Sequence, residues 1–164
     1  HDFWSAYFYL HFYTVNTAKL SENVWKEAEK MLEQIQKYPQ KEEYQKLVEA
    51  DRINLYEREA EKGDDRKFLE ETDRVFKENL RGDPAWKLYE RKLVYLESKQ
   101  PDISGEFERF LKKYPKVMDA YVEYSIYLCR NNKMTQAQRV YREGRKQTGM
   151  TSKRAEELRR KLGL

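Results

Sequence analysis

An aromatic pair spaced three residues apart recurs along this chain, each time inside a stretch of helical periodicity. In "DPAWKLYERK" the pair is Trp86 and Tyr89. Trp4 and Tyr7 repeat it in "DFWSAYFYLHFY", and Tyr121 and Tyr124 in "DAYVEYSIYL". Tyr44 and Leu47 form a weaker copy. These starts, 4, 44, 86 and 121, lie roughly 35–42 residues apart, and a second amphipathic helix follows in each interval. The second helices also end alike, at "QKYPQ", "RGDPAW" and "KKYPK". A unit of two helices cannot bury its apolar face alone, so successive units must stack into a continuous core. The pattern therefore predicts an all-α fold: a right-handed α-solenoid of antiparallel helix hairpins. About four helix pairs plus a C-terminal helix would occupy one domain over residues 1–164. Trp4, Tyr7, Tyr44, Leu47, Trp86, Tyr89, Tyr121, Tyr124 and Tyr141 are its expected core. An aromatic side chain spans the gap to the partner helix while its polar tip reaches a hydrogen-bond partner.

The rest of the chain agrees with helices. Charged residues make up 38% of it, yet the 3 Trp, 13 Tyr and 7 Phe supply a core that a disordered chain lacks. Breakers are few, with 6 Gly and 4 Pro, and most fall between periodic segments. Ser21 is placed to cap a helix carrying Trp25, Ala28, Leu32 and Ile35, which Pro39 stops. The next runs to Gly63, and Asp64 or Asp65 caps the one after, which is expected to end at Gly82. Asp83 and Pro84 suit the start of the following helix. Later helices are expected to close at "NNK" and near Gly149, and a last one to start at Thr151 or Ser152.

Two segments carry more than packing needs. In "HDFWSAYFYLHFY", aromatics surround almost the whole circumference of a helix. Phe3, Phe8, Tyr9, Phe12 and Tyr13 are accordingly expected to form a protein interface, with a preceding repeat outside this chain or with another protomer in a homodimer. The lack of an initiator Met fits a fragment of a longer protein. At the other end, residues 134–164 hold nine Lys or Arg against three acids, in a chain of net charge +4. Arg139, Arg142, Arg145, Lys146, Arg159, Arg160 and Lys161 are candidates for contact with phosphate, RNA or an acidic partner.

The aromatic pair in the first helix of a unit, followed by "AQRVYREGRK" in the second, resembles the HAT (half-a-TPR) repeat and, more distantly, the TPR. Ala137, Arg139, Tyr141 and Arg142 carry the likeness in the last unit, with Tyr141 one place early. Tyr44-x-x-Leu47 lacks the second aromatic, and "GEFERFLKKYP" lacks the Arg-Tyr pattern. The resemblance implies a scaffold that holds other proteins in RNA-processing assemblies, in splicing, 3′-end processing or ribosome biogenesis. It also implies a nuclear location, and frequent homodimers.

Catalytic and metal chemistry find little to work with. The histidines are His1 and His11, and Cys129 is the single cysteine, which allows no standard zinc spacing and no internal disulfide, as in a reducing, intracellular compartment. The acidic "EREAEKGDD" reads as a solvated helix end. No phosphate-binding glycine loop or nucleophile elbow occurs. No enzyme activity, metal or cofactor is expected, and no apolar run approaches membrane-spanning length. The alternatives to a scaffold are a peptide-binding TPR adaptor and an RNA-binding module using the basic C-terminus. The adaptor is disfavoured because Asn131, Asn132 and Lys133 sit in a turn rather than along a groove-lining helix.

Overall fold

The computed structural model describes residues 3–16, 22–37, 42–78 and 82–164. The caps expected at Ser21 and Asp83, the stop at Pro39, and the side chains of Tyr13, Trp25, Tyr44 and Pro84 lie outside the described residues. Among the described residues there are nine α-helices and no strand. They are α1 (Phe3–Asn16), α2 (Glu22–Ile35), α3 (Glu42–Lys62), α4 (Arg66–Lys77), α5 (Gly82–Glu97), α6 (Ser104–Lys113), α7 (Met118–Arg130), α8 (Met134–Thr148) and α9 (Lys153–Lys161). None is long and apolar enough to cross a membrane. The chain divides into two compact units, His1–Arg74 and Val75–Leu164, with the boundary inside α4.

Helix ends follow local sequence. Gly63, at φ +116°, closes α3: its N–H donates to Ala60 O at 3.0 Å and that of Asp64 to Glu59 O at 3.3 Å. This double hydrogen bond needs a left-handed residue, which glycine adopts without steric cost. Asn132 does the same for α7 at φ 58°, with the Lys133 N–H on Leu128 O. Ser152 caps α9 by accepting from the Ala155 N–H at 3.2 Å. Gly82 departs from expectation. It does not end a helix but is the first residue of α5, and a Cβ built on it would lie 2.6 Å from Val117 Cγ2. Close packing, not helix termination, accounts for the glycine there.

In the first unit, α1, α2 and α3 enclose Ala6, Leu10, Ala28, Leu32, Ile35, Val48 and Leu55, with Phe3, Tyr7, Met31 and Tyr56 packed at the edge. Leu10 faces this core two turns along from Phe3, since residues three and four apart share a face. Helix α3 is engaged on two sides. Val48 and Leu55 face the core, whereas Glu49, Arg52 and Glu59 point to α4 and pair there with Arg74, Glu71 and Lys67. The Arg52–Glu71 distance is 2.9 Å and Glu71 is buried. Burial alone would raise the Glu71 carboxyl pKa, but hydrogen bonds and charges from Arg74 and Arg52 outweigh it and hold the group below the usual range.

Two expected core residues are corrected. Trp4 is 52% exposed and Leu47 41% exposed. In α1 the buried positions are Ala6 and Leu10, and Trp4 projects from the other flank, touching Phe3 and Tyr7 edge-on. In α3 the buried position falls to Val48, one residue and about 100° around the helix from Leu47.

The second unit is built on an aromatic seam. Trp86, Tyr89, Tyr121, Tyr124 and Tyr141 are all buried. Trp86 meets Phe110 edge-on at 5.0 Å between ring centroids, Tyr89 lies 4.8 Å from Phe76, and Phe107 stacks on Tyr124 at 4.8 Å. Each buried hydroxyl with a described partner is satisfied at the seam's edge. Tyr124 donates to Glu108 at 3.1 Å, Tyr127 accepts from the Ile103 N–H at 3.0 Å, and Tyr141 donates to Ala155 O at 3.0 Å. Helix α7 lies between α6, α8 and α9 and is buried on most sides.

Helix α8 approaches α7 closely at Gly144, where a Cβ would lie 2.6 Å from Tyr121 Cβ. Gly144→Ala gains about 1 kcal/mol of helix propensity. It must also displace the root of the Tyr121 side chain and the Met150 methyl packed over Gly144, which costs typically about 1–3 kcal/mol. The expected net result is a lower melting temperature in circular dichroism, opposite in sign to a Gly→Ala change in an open helix.

Candidate functional site

The N-terminal helix separates its aromatics into two faces. Phe3 and Tyr7 are half-buried against the core, and Tyr7 is anchored from beneath. Asp51 of α3, almost fully buried, receives the His11 Nδ1–H with both carboxylate oxygens at 3.1 Å and the Asn54 amide at 3.5 Å. Burial and then the Asp51 charge and hydrogen bond push the Tyr7 phenol up to about 12, so it remains a proton donor at neutral pH. His11 stacks on Tyr7 at 6.0 Å. This cluster fixes the rotation of α1 about its axis.

The opposite face carries the exposed rings. Trp4 is 52% exposed, Phe8 66%, Tyr9 52% and Phe12 50%. Trp4, Phe8 and Phe12 follow one another at steps of four, which makes a single stripe along about two turns. No Asp, Glu, Lys or Arg occurs between Phe3 and Asn16. Of the five residues expected to form an interface, Phe8, Tyr9 and Phe12 are exposed together, and Trp4 joins them. Phe3 belongs to the core side, because its ring stacks with Tyr7 at 6.0 Å beside the buried cluster.

The basic residues do not form one surface of equal character. Arg139, Arg142, Arg145 and Lys146 all project from α8 and are exposed, and none forms an ion pair within 4 Å among the described residues. Glu143 accepts from Gln147 at 2.6 Å instead. On α9, Arg159 is engaged with Glu156 at 2.9 Å and with the Leu164 carbonyl at 3.1 Å, while Arg160 and Lys161 are exposed. Lys161 and Cys129 border a groove of about 530 Å³ between α7, α8 and α9. Burial raises the Cys129 thiol above its ordinary value against a weaker opposite pull from Lys161, which keeps it a protonated thiol of low nucleophilicity. A second groove of about 430 Å³ lies between α6, α7 and α8, with Tyr121, Tyr124 and Arg139 on its walls.

The turn after α7 has structural work. Asn131 donates to Tyr127 O at 2.9 Å, Asn132 supplies the left-handed cap, and Lys133 bonds Asp102 at 2.6 Å. Among the described residues no group of His, Cys, Asp and Glu is placed to hold a metal ion. Buried charges among the described residues escape the sequence pattern: Asp51, Glu71 and Lys92. Lys92 Nζ reaches Glu106 at 3.0 Å and lies 5.3 Å from the centre of the Tyr89 ring. Comparison with family models, with curated proteins and with solved structures finds no match to the chain.

Proposed function

We propose that the chain is a non-enzymatic protein–protein interaction scaffold built of HAT/TPR-like helical hairpins. One observation carries the reading: a helix without Asp, Glu, Lys or Arg, held on one side by Asp51 and carrying four large aromatics that are at least half exposed. Exposed contiguous aromatic surface of this kind marks interaction sites. The hairpin part draws support from the order of contacts in the second unit. Ile103 meets Tyr127 and Glu108 meets Tyr124, so contact positions run in opposite directions along α6 and α7. Gly144 against Tyr121 extends the same order to α7 and α8. Placement in a nuclear RNA-processing complex rests on the resemblance of the repeat to HAT sequences. The test is affinity purification from cells with the wild-type chain and with Phe8→Asp. Proteins identified with the first and lost with the second support the scaffold. An identical set from both baits refutes this face as its contact.

The four exposed cations of α8, which form no ion pair among the described residues, favour a second reading, an RNA contact. If it holds, affinity for single-stranded RNA falls steeply with salt. The triple change Arg139/Arg142/Arg145→Glu is then expected to remove three phosphate contacts and flatten the salt slope by about 2 units. An unchanged affinity and slope in a filter-binding or anisotropy assay eliminates the reading.

A further inference from the structure

We infer that the cationic stripe of α8 binds double-stranded RNA through its phosphates, without reading its sequence. The inference rests on the reading of α8 as an RNA contact and names the form of RNA that it takes. Three observations carry it.

The first is where the charges stand. At about 100° per residue, Arg139, Arg142 and Lys146 fall within about 60° of one another around α8. Ala137, Tyr141 and Gly144, the buried residues of the helix, lie on its opposite side. The stripe therefore points away from the core of the second unit, with Arg145 on its flank. All four cations are exposed and form no ion pair among the described residues. Glu143, on the other flank, accepts from Gln147 at 2.6 Å. A phosphate that meets these cations breaks no ion pair described within the chain, and it gains charge-assisted hydrogen bonds.

The second is charge density. From Arg139 to Lys146 the stripe rises about 10 Å along the helix axis. A nucleic-acid duplex carries roughly one negative charge per 1.7 Å of its axis, and one strand alone roughly one per 3.4 Å. Over the length of the stripe a duplex thus presents about six phosphates where a single strand presents about three. The second strand brings more phosphates within reach of the four cations.

The third is the makeup of the surface around the stripe. Proteins that hold single strands stack the bases on exposed aromatic side chains. Tyr141 is the aromatic residue of α8 and is buried, and α9 carries none. The large apolar side chains exposed among the described residues of the second unit are Val94 and Met134. A single strand gains no stacking there, whereas a duplex keeps its bases stacked on one another and offers its backbone. Base edges are read by an element that enters a groove, and the major groove of an RNA helix is too deep and narrow for side chains to read. Helix α8 is packed against α7 and presents one face. The contact is therefore with phosphates, which carry no sequence.

Fluorescence anisotropy in about 50 mM salt, with an RNA duplex of about 20 base pairs and a single strand of the same length, tests the inference. The duplex should bind at least about tenfold more tightly, and duplexes of unrelated sequence should agree within about twofold. Its affinity should fall with salt at a logarithmic slope of about −3 to −4, as four phosphate contacts require. Arg139/Arg142/Lys146→Gln should flatten that slope by about 3 units and weaken low-salt binding at least about tenfold. Helical circular dichroism should not change, because the three side chains are exposed. Lys37→Gln combined with Lys87→Gln, at exposed positions off α8, should alter the affinity by less than about twofold. Tighter binding of the single strand, or a strong preference among duplex sequences, overturns the inference and leaves the RNA reading standing. Duplex binding that survives Arg139/Arg142/Lys146→Gln with an unchanged slope overturns the site. If neither form of RNA binds at low salt, or a DNA duplex binds more tightly than the RNA duplex, the RNA reading itself falls and the inference with it.

Discussion

Trp86→Ala should lower the melting temperature of the second unit by about 15–30 °C, the shift that a loss of about 3–5 kcal/mol produces in a domain of this size. Trp86 is buried, with its indole against Phe107 at 6.4 Å and Phe110 at 5.0 Å, and Phe110 in turn touches Tyr89, Phe76 and Tyr114. Truncation opens a cavity at a position where four helices share one seam. The neighbours cannot collapse into it without moving Phe110 away from three other rings. The cost therefore lies at the upper end for a large-to-small change in a rigid site. Circular dichroism melts of wild type and variant check the number. The same comparison decides between two roles for the recurrent aromatic pair. A seam residue alters binding only through stability. If Trp86→Ala bound a partner hundredfold more weakly with an unchanged melt, the ring would be a contact surface and the seam assignment would fall.

How far the sequence reached can be stated residue by residue. Helix ends at Gly63, Gly149 and Ser152 were legible because a cap is a local structure, decided by the residue that can adopt a left-handed backbone or offer an oxygen to a nearby N–H. Spacing also showed which aromatics share a face. It did not show which face meets the core. In α1 almost every direction carries an aromatic, so the choice between Trp4 and Leu10 depends on what α2 and α3 present. In α3 the two-sided engagement erases the single stripe by which a sequence shows its buried face, and the spacing points to Leu47 where Val48 is the buried residue. The surplus of aromatics in α1 was legible as a surface, because one helix cannot bury seven large rings against two neighbours. The buried charges were not legible. Asp51 meets His11 forty residues away, and Glu71 meets Arg52 nineteen away. A polar residue on a helix reads as solvated until the fold brings such a partner to it. The same holds for the α8 cations, whose lack of ion pairs among the described residues is a fact of packing that composition cannot carry.

Lys92 allows a test in which two substitutions at one ion pair have different outcomes. Glu106→Ala should destabilise the second unit by about 3 kcal/mol, because it takes a carboxylate away from the buried Lys92 ammonium and from the Tyr89 hydroxyl that donates to the same oxygen. Lys92→Met should be close to neutral. It removes the desolvated charge and fills the same volume with an apolar chain beside the Tyr89 ring, while Glu106, which is partly exposed, keeps Tyr89 and Arg109 as partners. The pair also sets a pH dependence. Burial would raise the Glu106 carboxyl, but hydrogen bonds from Tyr89 and Lys92 and the charges of Lys92 and Arg109 hold it below its ordinary value. A depressed carboxylate contributes stability that is complete above its unfolded pKa of about 4.3 and is lost as the pH falls through the folded value. Wild type should therefore lose stability below about pH 4 more steeply than Glu106→Gln, which has no proton to take up at that position. Equal acid slopes for the two chains, or equal losses from Glu106→Ala and Lys92→Met, would show that the carboxylate bears no part of the buried charge. Tyr89 would then be held at the seam without help from this carboxylate.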